Sequence, residues 1–313
     1  MRVVLLAGGL GGARLAPALA RVLGRGRLTV IANVGDDLEW MGLRVCPDLD
    51  SIVYALAGEW DRERGWGRRG ETFRVRAGLA AFDAPAWFGV GDADLSLHLA
   101  RTRLLGSGAS LSEVTRSLSR RLGVRGVAVV PASDAWAGTR FSTRDGRRLG
   151  FQEWYVRERA QPRIRRTLLS HAAPSAAALA ALRRADALVL GPSNPVTSIG
   201  AILALRGLAA AARQVRLRVA ISPVVRRRTA WSSTVAHHAR ARRRVLEAVG
   251  ARDRAASIAA RYSKLVDGFL VDRSDREEAY AIRRLGLEVE VADLLDEERL
   301  AKTLLAWLRR ARR

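Results

Sequence analysis

A short apolar run that opens straight into a glycine-rich turn and then a helix limits what this chain can fold into. Val3–Ala7 reads as a buried strand, and Gly8-Gly9-Leu10-Gly11-Gly12-Ala13-Arg14 follows before helical spacing begins. Glycines at such a turn leave backbone N–H groups bare at a helix N-terminus, where phosphate is favoured. The loop lacks the lysine and hydroxyl residue of a Walker loop and does not keep dinucleotide spacing, so neither an ATPase nor a nicotinamide enzyme follows. Two readings stand at this point: a phosphate loop, or a turn whose glycines serve only backbone geometry.

Runs at 28–33, 187–190 and 219–221 are also apolar, β-branched and closed by small or polar residues. Helical spacing fills 13–23, 175–184, 198–213 and 234–249. Strands alternating with helices predict a doubly wound α/β fold, a mostly parallel sheet with helices on both faces. The alternation breaks where 139–143 and 149–156 flank Asp145-Gly146, a dipeptide suited to a hairpin turn. The expectation is one domain over 1–313, its core at about 1–50 and 181–313, with an inserted α+β subdomain at about 51–180 carrying helices near 95–105 and 110–122.

No apolar run approaches the ~20 residues of a membrane span, and no secretory pattern opens the chain, which predicts a cytoplasmic protein without a membrane partner. Cys46 is the only cysteine and cannot form an internal disulfide. The net charge of +23 raises nucleic acid as a partner. Lysine, however, occurs only at Lys264 and Lys302, and the arginines are spread over helices rather than gathered with aromatic residues. A solvated surface is the expectation, with steering of a small polyanion next; nucleic acid is disfavoured.

The second strand is followed by Asn33-Val34-Gly35-Asp36-Asp37, and the segment PDLDS adds Asp48 and Asp50. Acids after a parallel strand sit at the sheet's carboxyl edge, and oxygen ligands of this kind suit Mg²⁺ bridging phosphates. Turn and cap chemistry competes, most directly for Asp50 ahead of SIVYALAG. Asp92 and Asp94 lead into a helix with His98 and Arg101; taken alone, capping, packing or surface roles account for all four. Gly191-Pro192-Ser193-Asn194-Pro195-Val196-Thr197-Ser198 ends a buried strand in a rigid polar loop able to present backbone, Ser and Asn groups to a nucleotide. The four histidines show no metal-ligand spacing with Cys46, and no serine sits in a nucleophile elbow. Acid clusters beside phosphate loops leave metal-assisted phosphoryl chemistry in front.

In order and spacing, GGLGGAR, NVGDD, GLRVCPDLDS, RGWG with GET, WFGVGDADL with HLART, GASLSEVT, FQEWYVRERAQP and ADALVLGPSNPVTSIGAIL resemble the 2-phospho-L-lactate transferase family of coenzyme F-420 biosynthesis. The match is strong over about 1–225. A related family of gluconeogenesis-type factors shares the opening glycine loop and an acidic turn, and a non-catalytic nucleotide or nucleotide-sugar binding regulator of that type is the alternative. The resemblance implies a Rossmann-like core, a homodimer, a guanosine diphosphate-linked three-carbon acid as donor, a deazaflavin acceptor, and GMP as leaving group. It implies that Gly8, Gly9, Gly11, Gly12, Gly191, Pro192, Ser193, Asn194 and Ser198 hold the nucleotide, with Asn33 also on the substrate. Asp36, Asp37 and Asp48 would hold Mg²⁺, Asp48 and Asp50 would be catalytic, and Asp50, Asp92 and Asp94 would face the acceptor.

Two departures from the family pattern stand out. Ala93 replaces a basic residue between Asp92 and Asp94, and arginines at 226–228 replace a glycine-rich turn after the Ser222-Pro223 strand end. Arginines there forbid close backbone approach but can contact phosphate through guanidinium groups.

Overall fold

The computed structural model describes residues 1–226 and 233–312. The chain opens with β1 (Val3–Ala7), α1 (Gly9–Leu23) and β2 (Leu28–Ala32), then a small hairpin of β3 (Leu38–Trp40) and β4 (Leu43–Val45). Helices α2 (Pro47–Ala57), α3 (Arg74–Ala80), α4 (Asp92–Gly106) and α5 (Leu111–Arg121) lead to β5 (Val127–Pro131). An antiparallel piece follows: β6 (Arg140–Thr143), β7 (Arg148–Gly150) and β8 (Ile164–Leu168), with a π-helical turn at Glu153–Arg157 between the last two. Then come α6 (Ala176–Arg183), β9 (Ala187–Leu190), α7 (Ile199–Ala204), α8 (Leu208–Arg213) and β10 (Leu217–Ile221). The C-terminal part holds α9 (Ser233–Ala248), α10 (Ala255–Tyr262), β11 (Gly268–Asp272), a 3-10 turn at Arg273–Glu278, α11 (Ala279–Arg283), β12 (Glu288–Ala292) and α12 (Glu297–Arg310).

Seven strands form one parallel sheet in the order β12-β11-β10-β9-β1-β2-β5. The fold is α/β and Rossmann-like, as expected. Val3 lies opposite Leu28 on one side and Ala187 on the other, so β1 is an interior strand next to the middle strand β9. The five residues of β1 are all buried, which is why it reads as an unbroken apolar run. From β1 the chain moves outward through β2 and β5, returns, and moves the other way through β9, β10, β11 and β12. The reversal falls between β1 and β9, where the outgoing loops part and a crevice opens at the carboxyl edge.

Several elements differ from the sequence reading, each for a local reason. The segment 51–180 is not wholly outside the sheet, because its strand β5 pairs in parallel with β2. Helical spacing over 198–213 is interrupted: α7 stops at Ala204, and Gly207, at φ 80°, turns the chain into α8. The hairpin is shorter than 149–156 suggests, because the Glu153 carboxylate accepts from the Gly150 N–H at 2.8 Å and starts the π-helical turn. Two expected starts are explained by caps, since Ser110 makes a reciprocal capping box with Glu113 and Ser175 caps α6. Among the described residues no helix is long and apolar enough to cross a membrane.

Candidate active site

The loops after β1 and β9 interlock before any ligand is considered. The Gly8 N–H donates to Ser193 Oγ at 3.0 Å, and the Ser193 hydroxyl donates to the Gly8 carbonyl at 3.0 Å. A Cβ on Gly11 would stand 2.2 Å from the Pro192 carbonyl oxygen, and one on Gly9 would stand 2.5 Å from Asp48 Oδ1. These glycines are required because backbone meets backbone at one position and a carboxylate at the other. Asn194 turns its Oδ1 onto the N–H groups of Val196 and Thr197, at 2.9 and 3.1 Å, which stiffens the second loop as an Asx-turn.

Asn33, just past β2, organises the acids. Its Nδ2 donates to Asp36 Oδ1 at 2.9 Å and to Asp48 Oδ2 at 2.8 Å, while its Oδ1 accepts from the Gly35 N–H at 2.9 Å. Asp48 arrives from the first turn of α2, which Pro47 starts, so Asp48 and Asp50 lie inside the helix and neither is its cap. Neither Asp36 nor Asp48 has an ion-pair partner among the described residues. Burial, and repulsion from Asp48, push the Asp36 carboxyl well above the usual carboxylate range. Burial likewise raises Asp48, to about 6, against the hydrogen bonds from Asn33 and the Gly9 N–H. Two buried, mutually repelling oxygen donors joined through one amide fit a divalent cation of the Mg²⁺ type.

A second acidic group is built from facing polar stripes. Asp50 and Tyr54 on α2 meet Asp94, His98 and Arg101 on α4, at i, i+4 and i+7. Arg101, only 1% exposed, grips Asp50 with both terminal nitrogens, one of them at 3.0 Å. The Tyr54 hydroxyl donates to Asp94 Oδ1 at 2.5 Å. His98 lies between the acids, its Nε2 3.5 Å from Asp94 and its Nδ1 3.7 Å from Asp50. Burial opposes ionisation of Asp94, but His98 and Tyr54 outweigh it and hold the carboxyl below its ordinary range. Burial raises Asp50 in spite of Arg101. Asp50, Asp94 and His98 each offer a ligand atom within 4.8 Å of the others, a grouping able to hold a metal ion. The Arg101 guanidinium already supplies positive charge there, whereas the Asp36–Asp48 pair has no ion-pair partner among the described residues.

Three sequence candidates are engaged elsewhere. Asp37 pairs with Arg44 at 2.7 Å and accepts from the Cys46 thiol at 3.2 Å, and burial raises it to about 6 against those partners. Asp92 accepts from the Thr72 hydroxyl at 2.5 Å and from the N–H groups of Arg74 and Val75, so it caps α3. Glu71 returns the favour by accepting from the Ala93 and Asp94 N–H groups at the start of α4. GET and GDAD therefore clasp each other, and the position of Ala93 contributes its amide to that clasp. Arg226 is held by Asp275 at 2.9 Å, by Glu278 at 2.7 Å and by Glu277, and does not line the crevice; Arg227 and Arg228 lie outside the described residues.

The crevice at the switch point has a volume of about 770 Å³. It brings together Gly8, Gly9, Gly11, Asp36, Asp48, Asp50, Asp94, Pro192, Ser193, Asn194 and Ser198. Gly12 and Gly191 lie behind it, where a Cβ would crowd the Ala7 side chain and the Leu6 carbonyl, and Asn33 acts on it through the two acids. Sequence reasoning passed over its aromatic wall, in which the Tyr155 ring stacks on Phe151 at 5.4 Å and meets His237 at 4.5 Å. His98 and Arg101, which the sequence alone assigns to packing or the surface, are buried against Asp50 and Asp94.

Fold and crevice define a doubly wound α/β protein whose ligand cavity, lined by glycine loops and buried acids, opens at its topological switch. Residues 3–310 match the family described as 2-phospho-L-lactate transferase CofD, and the chain belongs to that family of transferase enzymes. It is similar to a phosphoenolpyruvate transferase of Streptomyces griseus, with 39% identity over 94% of this chain and 93% of the relative. A protein of the same description from Mycobacterium tuberculosis is 42% identical over 72% of this chain and 73% of its own length. A crystal structure of a UPF0052 family member from Bacillus halodurans shares the fold, with a TM-score of 0.61 at 19% identity over 97% of this chain and 98% of the other.

Proposed function

We propose that the enzyme transfers a phosphorylated three-carbon acid, of enolpyruvyl or lactyl type, from a guanosine diphosphate-linked donor to 7,8-didemethyl-8-hydroxy-5-deazariboflavin in coenzyme F-420 biosynthesis. The observation that carries this reading is the seating of Asp48 against the glycine loop of α1, joined through Asn33 to Asp36, in a chain whose relatives are named phosphoenolpyruvate transferases. The terminal hydroxyl oxygen of the acceptor's ribityl chain bonds to the acid-bearing phosphorus. The bond from that phosphorus to the bridging oxygen breaks, its electron pair leaves with GMP, and the hydroxyl proton passes to a carboxylate or to solvent.

Asp36 and Asp48 hold Mg²⁺ in this reading, and the ion when bound supplies charge neutralisation for the phosphoryl oxygens. Asp37, tied to Arg44, stands behind them. Gly8, Gly9, Gly11 and the loop from Pro192 to Ser198 face the nucleotide with backbone dipoles. Asp50, fixed by Arg101, accepts from the acceptor hydroxyl and orients it, and Asp94 with His98 fixes the other side of that pocket. The same reading makes the enzyme a cytoplasmic homodimer.

The test is incubation with the deazaflavin, Mg²⁺ and the enolpyruvyl, lactyl and glyceryl donors in turn, with mass detection of product and of GMP. The expected result is a phosphodiester product with the enolpyruvyl donor. Tight guanine nucleotide binding with no product from any donor would reduce the chain to a nucleotide-binding protein.

A further inference from the structure

Among the described residues, three arginines line the crevice: Arg14, Arg159 and Arg242. Arg14 is neutralised by Glu297 at 2.7 Å, and Arg242 by Asp253 at 2.7 Å. Arg159 has no carboxylate within ion-pair distance among the described residues. The acid beside it, Glu158, is taken by Arg147 at 3.1 Å and by Arg157 at 3.5 Å. Arg159, exposed at the crevice, is therefore the one arginine among its described lining residues without a counter-charge.

The backbone holds this cation in place at a cost. Arg159 and Ala160 both lie in the left-handed region, at φ 50° and 55°. A non-glycine residue there is strained, and such strain concentrates where a side chain must be aimed. Ala160 is fully buried and its N–H donates to the Trp154 carbonyl at 2.8 Å, while the Trp154 indole N–H donates to the Pro162 carbonyl at 2.9 Å. These bonds lock the turn that follows the π-helix. Its other end is tied to the acids, since Gln152 Nε2 donates to the Asp36 carbonyl at 3.2 Å. Arg159 is thus mounted on a rigid segment that flanks the acid pair, while the glycine loops occupy the ends of β1 and β9.

We infer that Arg159 reads the carboxylate of the transferred three-carbon acid, as a specificity-determining residue of the donor site. This rests on the transfer proposed above. The diphosphate has backbone N–H groups and a cation seat, whereas the carboxylate is the donor's one further anion, and every candidate acid carries it. A planar guanidinium matches a carboxylate with two parallel hydrogen bonds.

The experiment is calorimetric titration of the parent, Arg159→Met, Arg159→Lys and Arg159→Gly with guanosine diphosphate and with its enolpyruvyl-linked form, each with Mg²⁺. The parent should prefer the acid-bearing donor by roughly 10- to 100-fold, the range set by charge-assisted hydrogen bonds. Arg159→Met should erase that preference and leave guanosine diphosphate affinity unchanged, and Arg159→Lys should retain part of it. In turnover the KM for donor should rise while the KM for acceptor stays constant. Arg159→Gly should lose the preference yet melt higher than the parent, because glycine relieves the left-handed strain. Equal loss of both ligands in Arg159→Met would place the arginine on the diphosphate, and unchanged binding of both would make it a solvated surface charge; either overturns the assignment. A parent that binds neither probe refutes the donor itself, an outcome told apart by the parent's titration alone.

Discussion

The two acidic groups of the crevice are equally buried and oppositely built. On the α2–α4 side, Asp50 has an arginine, Asp94 has a tyrosine hydroxyl, and a histidine lies between them. On the glycine-loop side, Asp36 and Asp48 share a single amide and repel each other. The first arrangement carries its own positive charge in Arg101. The second has no ion-pair partner among the described residues, and in the proposed function its positive charge comes with the ligand.

The largest test of this contrast is Arg101→Met. Breaking a buried pair by removing one partner typically costs about 3–5 kcal/mol, so urea denaturation at neutral pH should show a loss of that order. Parent-like stability would mean that Asp50 is neutral in the folded protein and that the contrast fails. Asp48→Asn should act in the other direction. A carboxyl raised from 3.8 to about 6 gives stability that is full below pH ~4 and is lost as pH rises through about 6. In cation-free buffer the variant should therefore exceed the parent by about 2–3 kcal/mol above pH 6 and match it below pH 4, while turnover falls at least about tenfold. A variant less stable than the parent at pH 8 would show that the carboxylate is already compensated.

The smallest effect sharpens the comparison most. Mg²⁺ at ten times its dissociation constant should stabilise the parent by about 1.4 kcal/mol, measured as a shift in melting temperature. That shift should vanish in Asp36→Asn and persist in Asp94→Asn. The reverse pattern would move the cation seat to the Asp50, Asp94 and His98 group.

How much of this is legible in the sequence depends on where the partner of each residue lies. The central strands are readable because burial on both faces leaves continuous apolar runs, as in VVLLA and ALVL. β12 is not, since this edge strand reads EVEVA, alternating in sequence, and leaves Glu288 and Val291 exposed. β5 ends in Pro131 and lies among antiparallel pieces, which hides its place in the parallel sheet. In the site, the glycine loop and the acids stand out locally. That Asp92 caps α3, or that Asp37 is claimed by Arg44, depends on approaches between separate segments. The Asp94, His98, Arg101 stripe at helical spacing was a usable signal; its meaning needed the facing stripe on α2.

The closeness of Asp48 to Gly9 has a consequence for how ligands compete. The N-terminal amides of α1 are where a phosphate would settle, and one of them already serves a carboxylate of the same chain. The loop thus carries a tethered competitor, present at fixed high local concentration and removable only by changing its charge. Under the proposed function, a bare diphosphate would meet that carboxylate's charge and a cation-bound one would not, so cation and nucleotide binding would be coupled through Asp48.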